Sequence, residues 1–173
     1  MAETSSQVKE FVHEAIKLEI RGREFFLGAA ELTRNILGKK MFTRLADEEL
    51  KHLEAFSRLF SAVMKSDQWK KAVADEQVKG KSEVIEGLMA RMKRAEGQSE
   101  IEALRIGMEL ELKAIEFFRG CAEKGADPAA GEIFTRISEE ERFHYDLLQA
   151  QHDSVTGSGF WLDSAEFRMD GKY

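Results

Sequence analysis

The chain has 173 residues, a formal net charge of −6 and 43% hydrophobic residues. This length suits one domain with a real core, and the composition excludes a disordered chain. The acidic balance gives no phosphate-binding face, so we expect no nucleic-acid partner. The single cysteine, Cys121, excludes an intramolecular disulfide and a metal site of several cysteines, and it fits a reducing compartment.

Residues 1–10 are polar and lack the apolar core of a signal peptide. The chain also lacks the apolar run of about 18 residues that a membrane helix needs, so we expect a cytoplasmic protein with no membrane partner. One proline and 13 glycines over this length favour long helices over many short strands.

Apolar residues recur every three or four positions in four long segments, which predicts four helices. They are residues 6–36, 41–65, 99–125 and 128–153. Gly38 is the predicted stop of the first helix, since glycine commonly follows a helix C-terminus.

The other boundaries and connections are predicted from local residue chemistry. Ser99 followed by Glu102 predicts a capping box, and Asp127 before a proline predicts an N-cap. Residues 66–98 are predicted to be a crossover with one or two short helices. Residues 154–173 are predicted to form a C-terminal tail that is interrupted by glycine and serine residues.

The chain contains an internal repeat. Residues 41–52 and 133–144 share Phe, Thr, Arg, two Glu and His at a constant offset of 92 residues (41 to 133). The same offset aligns Glu19 with Glu111, so the chain is two copies of a helix pair joined by the crossover. A repeat of this kind predicts the overall architecture more directly than the helix propensities of short segments do.

Each copy carries one Glu on its first helix and a Glu-x-x-His on its second. These six residues are Glu19, Glu49, His52, Glu111, Glu141 and His144. Side chains at i and i+3 project from one helix face. This set is the ligand pattern of di-iron and di-manganese carboxylate bundles. One Glu-x-x-His is weak evidence in so acidic a chain, but two in the same register of a repeat are strong evidence.

The physical reason for metal binding is charge. Glu19 and Glu111 lie in otherwise apolar stripes, and an unpaired buried carboxylate is costly. Four carboxylates need positive charge that two divalent cations supply, and no Lys or Arg is spaced to do so. We expect Glu49 and Glu141 to bridge the ions, the other two Glu to bind one ion each, and each His to give one nitrogen. Open coordination positions remain for a small oxidant. The second and third long helices must then run parallel.

Other candidates are weaker. His13 and His152 are expected at the surface, and Cys121 is expected to fill the core. Glu48 and Glu140, next to the bridging residues, either support the ligands or are solvated, and we favour solvated side chains.

With these residues in hand, the chain resembles the rubrerythrin family of the ferritin-like superfamily over residues 7–151. The resemblance implies an all-α, ferritin-like four-helix bundle with a long helical crossover between helices 2 and 3, here residues 1–153. It also implies two iron ions per chain, reaction with hydrogen peroxide or dioxygen, and a homodimer. Manganese or zinc also suits such ligands.

Three departures from the family pattern matter. One cysteine excludes a rubredoxin iron site, so electrons must come from an external donor. The family's extra ligand Glu, one turn after the lone Glu of the third long helix, is Ala114 here and aligns with Gly22. Phe26 and Phe118 stand where the family has Tyr.

The leading prediction is therefore a di-iron oxidoreductase that reduces peroxide, with the six ligands as its catalytic set. One alternative is an iron-oxidising or iron-storage protein. The other is a helical protein that binds zinc or manganese without redox work.

Overall fold

The described residues of this chain form five α-helices. The structure is a computed structural model that describes residues 2–64, 83–95, 98–124 and 127–163. The helices are α1 (Ala2–Leu32), α2 (Ile36–Met64), α3 (Glu83–Arg94), α4 (Ser99–Lys124) and α5 (Pro128–Ser158). The described residues form no strand, which confirms the all-α fold class. None of their helices is long and apolar enough to span a membrane.

The turn between α1 and α2 differs from the prediction. The helix α1 ends at residue 32 rather than 36, and α2 begins at residue 36 rather than 41, so Gly38 lies within α2 and is not a stop. Asn35 caps α2, because its side-chain oxygen accepts hydrogen bonds from the backbone N–H of Leu37 (2.9 Å) and Gly38 (3.3 Å). Glu100 of α4 accepts from the backbone N–H of Arg34 (2.6 Å) and Asn35 (3.0 Å), which fixes the turn.

The predicted N-cap of α5 is confirmed, but the capping box of α4 is wrong. The side chain of Asp127 accepts a hydrogen bond from the backbone N–H of Ala130 at 2.9 Å. At α4, Ser99 already lies in the helix, and the Glu102 carboxylate instead binds Arg91 of α3. The contact with Arg91 ties the crossover helix to the bundle.

Two apolar clusters fill the interior, one toward each end of the bundle. The first lies between the C-terminal halves of α1 and α5 and the N-terminal halves of α2 and α4. The second lies between the opposite halves of the same helices. Since the N-terminal halves of α2 and α4 share one cluster, these two helices run parallel, as predicted. The largest buried side chains of the first cluster are Phe25, Phe26, Met41, Phe42, Leu45, Ile85, Met92 and Leu104, and those of the second are Ile16, Phe56, Phe118 and Phe134.

The second half of the predicted crossover is a helix. Ile85, Met89 and Met92 of α3 are buried in the first cluster, so α3 covers one end of the bundle. Residues 66–82 of the predicted crossover lie outside the described residues.

The first residues of the predicted tail belong to the fold. The helix α5 runs to residue 158, five residues beyond the predicted boundary. The buried side chain of Gln151 then donates to the Leu162 carbonyl at 2.8 Å and accepts from its N–H at 3.0 Å. This places Trp161 edge-on against Phe42, with 6.2 Å between ring centroids. A Cβ at Gly38 would lie 2.8 Å from the Trp161 ring, so glycine allows this close approach.

Trp161 should therefore contribute to stability far more than its neighbour in sequence. We expect Trp161→Ala to lower the free energy of unfolding by about 3 kcal/mol, because it removes a large buried ring. Phe160, which is 75% exposed, is the matched control, and Phe160→Ala should change this energy by less than about 0.5 kcal/mol. Urea unfolding followed by far-UV circular dichroism measures both. Equal losses in the two variants would contradict the packing of Trp161.

Candidate metal centre

The six predicted ligands lie together in the interior, between the two apolar clusters. All six are buried, with His144 the most exposed at 8%. They form two overlapping groups in which the possible ligand atoms all lie within 4.8 Å of one another. The groups are Glu19, Glu49, His52 and Glu141, and Glu49, Glu111, Glu141 and His144. Glu49 and Glu141 belong to both groups, as the predicted bridging role requires.

The repeat explains why these side chains converge. Each of the four long helices carries its acid near its midpoint, with apolar residues one or two turns to either side. Packing of those apolar residues into the two clusters turns all four acids toward the bundle axis. The Glu-x-x-His spacing then places His52 and His144 on the same faces as Glu49 and Glu141.

The Glu141 carboxylate lies between the two histidines. Its Oε1 lies 3.2 Å from Nδ1 of His52, and its Oε2 lies 2.8 Å from Nδ1 of His144. The two imidazole rings are stacked, with 5.7 Å between centroids. Both histidines therefore direct Nδ1 into the site, and each oxygen of one carboxylate faces one of them.

Glu19 and Glu111 each have a carboxylate oxygen without a hydrogen-bond partner among the described residues. Oε1 of Glu19 and Oε1 of Glu111 are buried and accept no hydrogen bond from any described group. An unsatisfied buried acceptor costs about 1–3 kcal/mol, and more when charged. No lysine or arginine is among the buried residues of the described ranges. A divalent cation in each group would satisfy both oxygens.

The donor chemistry and the spacing fit such ions. Carboxylate oxygens and imidazole nitrogens bind first-row divalent metals with bonds of about 2.0–2.2 Å. Ligand atoms around such an ion are therefore at most about 4.4 Å apart. In each group the possible ligand atoms lie within 4.8 Å of one another, which is compatible with a shared ion. The cluster is thus compatible with a metal site.

Protons replace cations in the metal-free protein. Burial raises the pKa of Glu19 and Glu111 well above the ordinary 4.5, and neighbouring carboxylates raise it further. Burial alone would lower the pKa of His52 and His144, but contacts with carboxylates outweigh it and raise both. Burial likewise opposes ionisation of Glu141, yet hydrogen bonds from the two histidines hold its pKa below the ordinary value. Two acids and two histidines therefore hold protons where cations would lie.

The other candidate residues lie outside both groups. His13 and His152 are partly exposed and belong to neither group. Cys121 is buried in the second apolar cluster, and burial raises the pKa of its thiol to about 11. Its surroundings are those of a core residue, as predicted.

The prediction that Glu140 is solvated is wrong. Its carboxylate accepts hydrogen bonds from Nε2 of His52 at 3.0 Å and from Nε of Arg136 at 2.9 Å. The hydrogen bond from His52 contributes most to holding the pKa of Glu140 at about 2. Its counterpart Glu48 instead pairs at the surface with Lys51 at 2.8 Å. The sequence places both acids next to a bridging residue, but it does not show which of them reaches a histidine.

Gly22 lies directly beside the site. A Cβ at this position would be 3.2 Å from both Cδ and Oε1 of Glu49. Its counterpart in the repeat, Ala114, is partly buried against the second apolar cluster. The small residue at position 22 therefore leaves space next to one of the two shared carboxylates.

A four-helix bundle that holds duplicated Glu and Glu-x-x-His sets in its interior defines a ferritin-like carboxylate protein. Residues 10–152 match the sequence profile of rubrerythrin. This chain belongs to the rubrerythrin family. The solved structure of a hypothetical protein from Pyrococcus furiosus has the same fold, with a TM-score of 0.62 and 23% sequence identity over 86% of this chain and 90% of that chain. No curated protein matches the sequence.

Metal binding should release protons and should strengthen as the pH rises. The raised pKa values of Glu19, Glu111, His52 and His144 mean that the folded metal-free protein holds more protons than the unfolded chain above about pH 4.5. Its stability therefore falls as pH rises through those folded-state values, whereas metal loading removes the same protons. We expect Co²⁺ to raise Tm more at pH 8 than at pH 5.5, and loading at pH 7 to release protons.

Differential scanning calorimetry at the two pH values and a pH-stat titration measure these effects. The variant Glu49→Ala/His52→Ala is the control, because it lacks ligands from both groups. A Tm gain that is equal at both pH values, or loading without proton release, would contradict the proton-for-metal exchange.

Gly22→Ala should weaken metal binding without destabilising the metal-free fold. In a helix alanine is about 1 kcal/mol more favourable than glycine, but here its methyl group would displace the Glu49 carboxylate, which both groups share. We expect Co²⁺ affinity to fall roughly tenfold. Gly120→Ala is the matched control, since its Cβ would have no neighbour within 4 Å. Unchanged affinity in Gly22→Ala, measured by calorimetric titration, would show that Glu49 tolerates the added methyl group.

Proposed function

We propose that this protein is a non-haem di-iron oxidoreductase that reduces hydrogen peroxide to water with electrons from an external donor. The observation that carries the proposal is the pair of buried four-residue groups that share Glu49 and Glu141. Membership of the rubrerythrin family supports it. Dioxygen is the other candidate oxidant.

Two iron ions per chain are proposed because the ligands divide into two groups. The first ion would be held by Glu19 and His52 and the second by Glu111 and His144, with the shared carboxylates between them. Four carboxylates balance the charge of two divalent ions when both histidines are neutral. Manganese and zinc also suit these ligands, but only a redox-active metal can transfer electrons to peroxide.

Iron bound here would supply the two electrons that split the peroxide O–O bond, and two protons would complete two molecules of water. The protein residues hold and enclose the centre. Phe56 and Phe118 stack beside it with 5.5 Å between ring centroids, and the second apolar cluster excludes water from that side. Gly22 leaves space beside the carboxylate of Glu49, which we propose as the side where peroxide approaches.

The electron donor is proposed to be a separate molecule. The sequence contains one cysteine, and that residue is buried away from the six ligands in the second apolar cluster. A rubredoxin-type iron site needs four cysteine thiolates, so this sequence cannot build one. Re-reduction of the centre would then require a partner that carries electrons.

Rapid oxidation of bound ferrous iron by peroxide tests the proposal. We expect protein loaded anaerobically with two ferrous ions per chain to be oxidised by peroxide at least about 100-fold faster than the Glu49→Ala/His52→Ala variant, because the variant loses a shared ligand and a histidine. Stopped-flow absorbance measures the rates. Glu139→Ala, an exposed acid on the same helix as Glu141, is the control and should match the unmodified protein. Equal rates in the unmodified protein and the double variant would exclude peroxide reduction at this site.

Iron titration and a mass measurement separate this proposal from iron storage. We expect uptake to stop at two irons per chain and the protein to be a homodimer. Continued uptake in a closed shell of many subunits would instead indicate storage. Zinc in natively expressed protein, without a redox response, would indicate the non-redox alternative.

A further inference from the structure

The two copies of the repeat hold their histidines differently. Nε2 of His52 donates to Glu140 at 3.0 Å, and Glu140 also accepts from Arg136 at 2.9 Å. Nε2 of His144 has no hydrogen-bond partner among the described residues. The His52 side chain is 2% exposed, whereas that of His144 is 10% exposed. Both copies of the repeat therefore supply the same candidate ligands, but only His52 has a carboxylate at its outer nitrogen among the described residues.

The cause lies in one position of the repeat. Glu48, the counterpart of Glu140, is held by Lys51 at 2.8 Å and lies 3.8 Å from Arg44. The residue that aligns with Lys51 at the 92-residue offset is Phe143. A phenylalanine cannot form an ion pair with Glu140, so this carboxylate is left to accept from His52. The ion pair with Lys51 holds Glu48 at the surface instead.

A carboxylate on the outer nitrogen of a histidine affects the inner nitrogen. It fixes the ring orientation and the tautomer, and it makes the ligating nitrogen more basic. Glu140 does this for His52, whose Nδ1 faces Glu19 and Glu141 at 3.2 Å each. His144 has no such support at Nε2 among the described residues, and its ring is held instead through Nδ1, by Glu141 at 2.8 Å.

We propose that the two metal positions are unequal, and that Glu140 is the positioning residue responsible. The metal position formed by Glu19 and His52 binds a first-row divalent ion more tightly than the other metal position does. The position of Glu111 and His144 binds it more weakly and exchanges it with solvent. This proposal rests on the metal binding in the proposed function, but it does not require peroxide reduction.

Titration of the full chain with Co²⁺ tests the inequality. We expect two classes of site in the unmodified protein, with affinities at least about tenfold apart. Glu140→Ala should weaken the tighter class by about 10–100-fold. Glu140→Gln keeps an acceptor oxygen and should recover part of that loss. The repeat provides the control, since Glu48→Ala removes the aligned acid, and both affinities should then stay within about twofold of the unmodified protein.

Proton exchange at the histidines distinguishes positioning from a general structural effect. In the Co²⁺-loaded protein with ¹⁵N-labelled histidine, the N–H proton at Nε2 of His52 should exchange slowly with solvent. It should exchange quickly in Glu140→Ala, while the corresponding proton of His144 exchanges quickly in both proteins. Far-UV circular dichroism checks that the variants remain folded.

The outcomes separate this proposal from the proposed function. Two equal classes of Co²⁺ site, or equal losses in Glu140→Ala and Glu48→Ala, would overturn the inequality and leave di-iron chemistry standing. Unequal classes without peroxide oxidation of bound iron would support the inequality and overturn the proposed function. A protein that binds no Co²⁺ would overturn both.

Discussion

The structure depends on how the charge of four buried carboxylates is balanced. Each long helix carries one of them into the interior, where an uncompensated charge would oppose folding. The two apolar clusters contain the buried aromatic side chains of the described residues, and the buried carboxylates lie in one layer between them. With no buried lysine or arginine in the described ranges, protons or metal ions must complete that layer. Apolar packing therefore stabilises the two ends of the bundle, and the candidate metal site lies between them.

Much of the bundle and the convergence of the six residues could be predicted, because both depend on spacing within a helix. The register of Glu49 relative to Phe42 and Leu45 is the same wherever α2 begins. The error at Gly38 therefore moved a helix boundary by five residues without moving a candidate ligand. Because the two helix pairs align at the 92-residue offset, the ligand pattern of one pair predicts that of the other.

What could not be predicted depends on contacts between distant parts of the chain. The turn at Asn35 is fixed by Glu100, which lies 65 residues further along. Glu48 and Glu140 occupy the same position of the repeat, so the repeat alone predicts the same surroundings for both. Their different roles follow from which side chains compete for each carboxylate, and only the packed helices show that His52 lies within reach of one of them.

Duplication followed by divergence explains how a symmetric ligand set can have an asymmetric environment. The six candidate ligands are of identical residue types in the two copies. A change from lysine to an aromatic residue at an exposed position, such as 51 or 143, leaves the ligands intact. It nevertheless changes the hydrogen-bond partner of the neighbouring acid. That acid in turn determines whether a histidine has a carboxylate at its outer nitrogen. Residues adjacent to the ligands can thus give two chemically identical sets different affinities, and a pair of ions in such a centre need not behave alike.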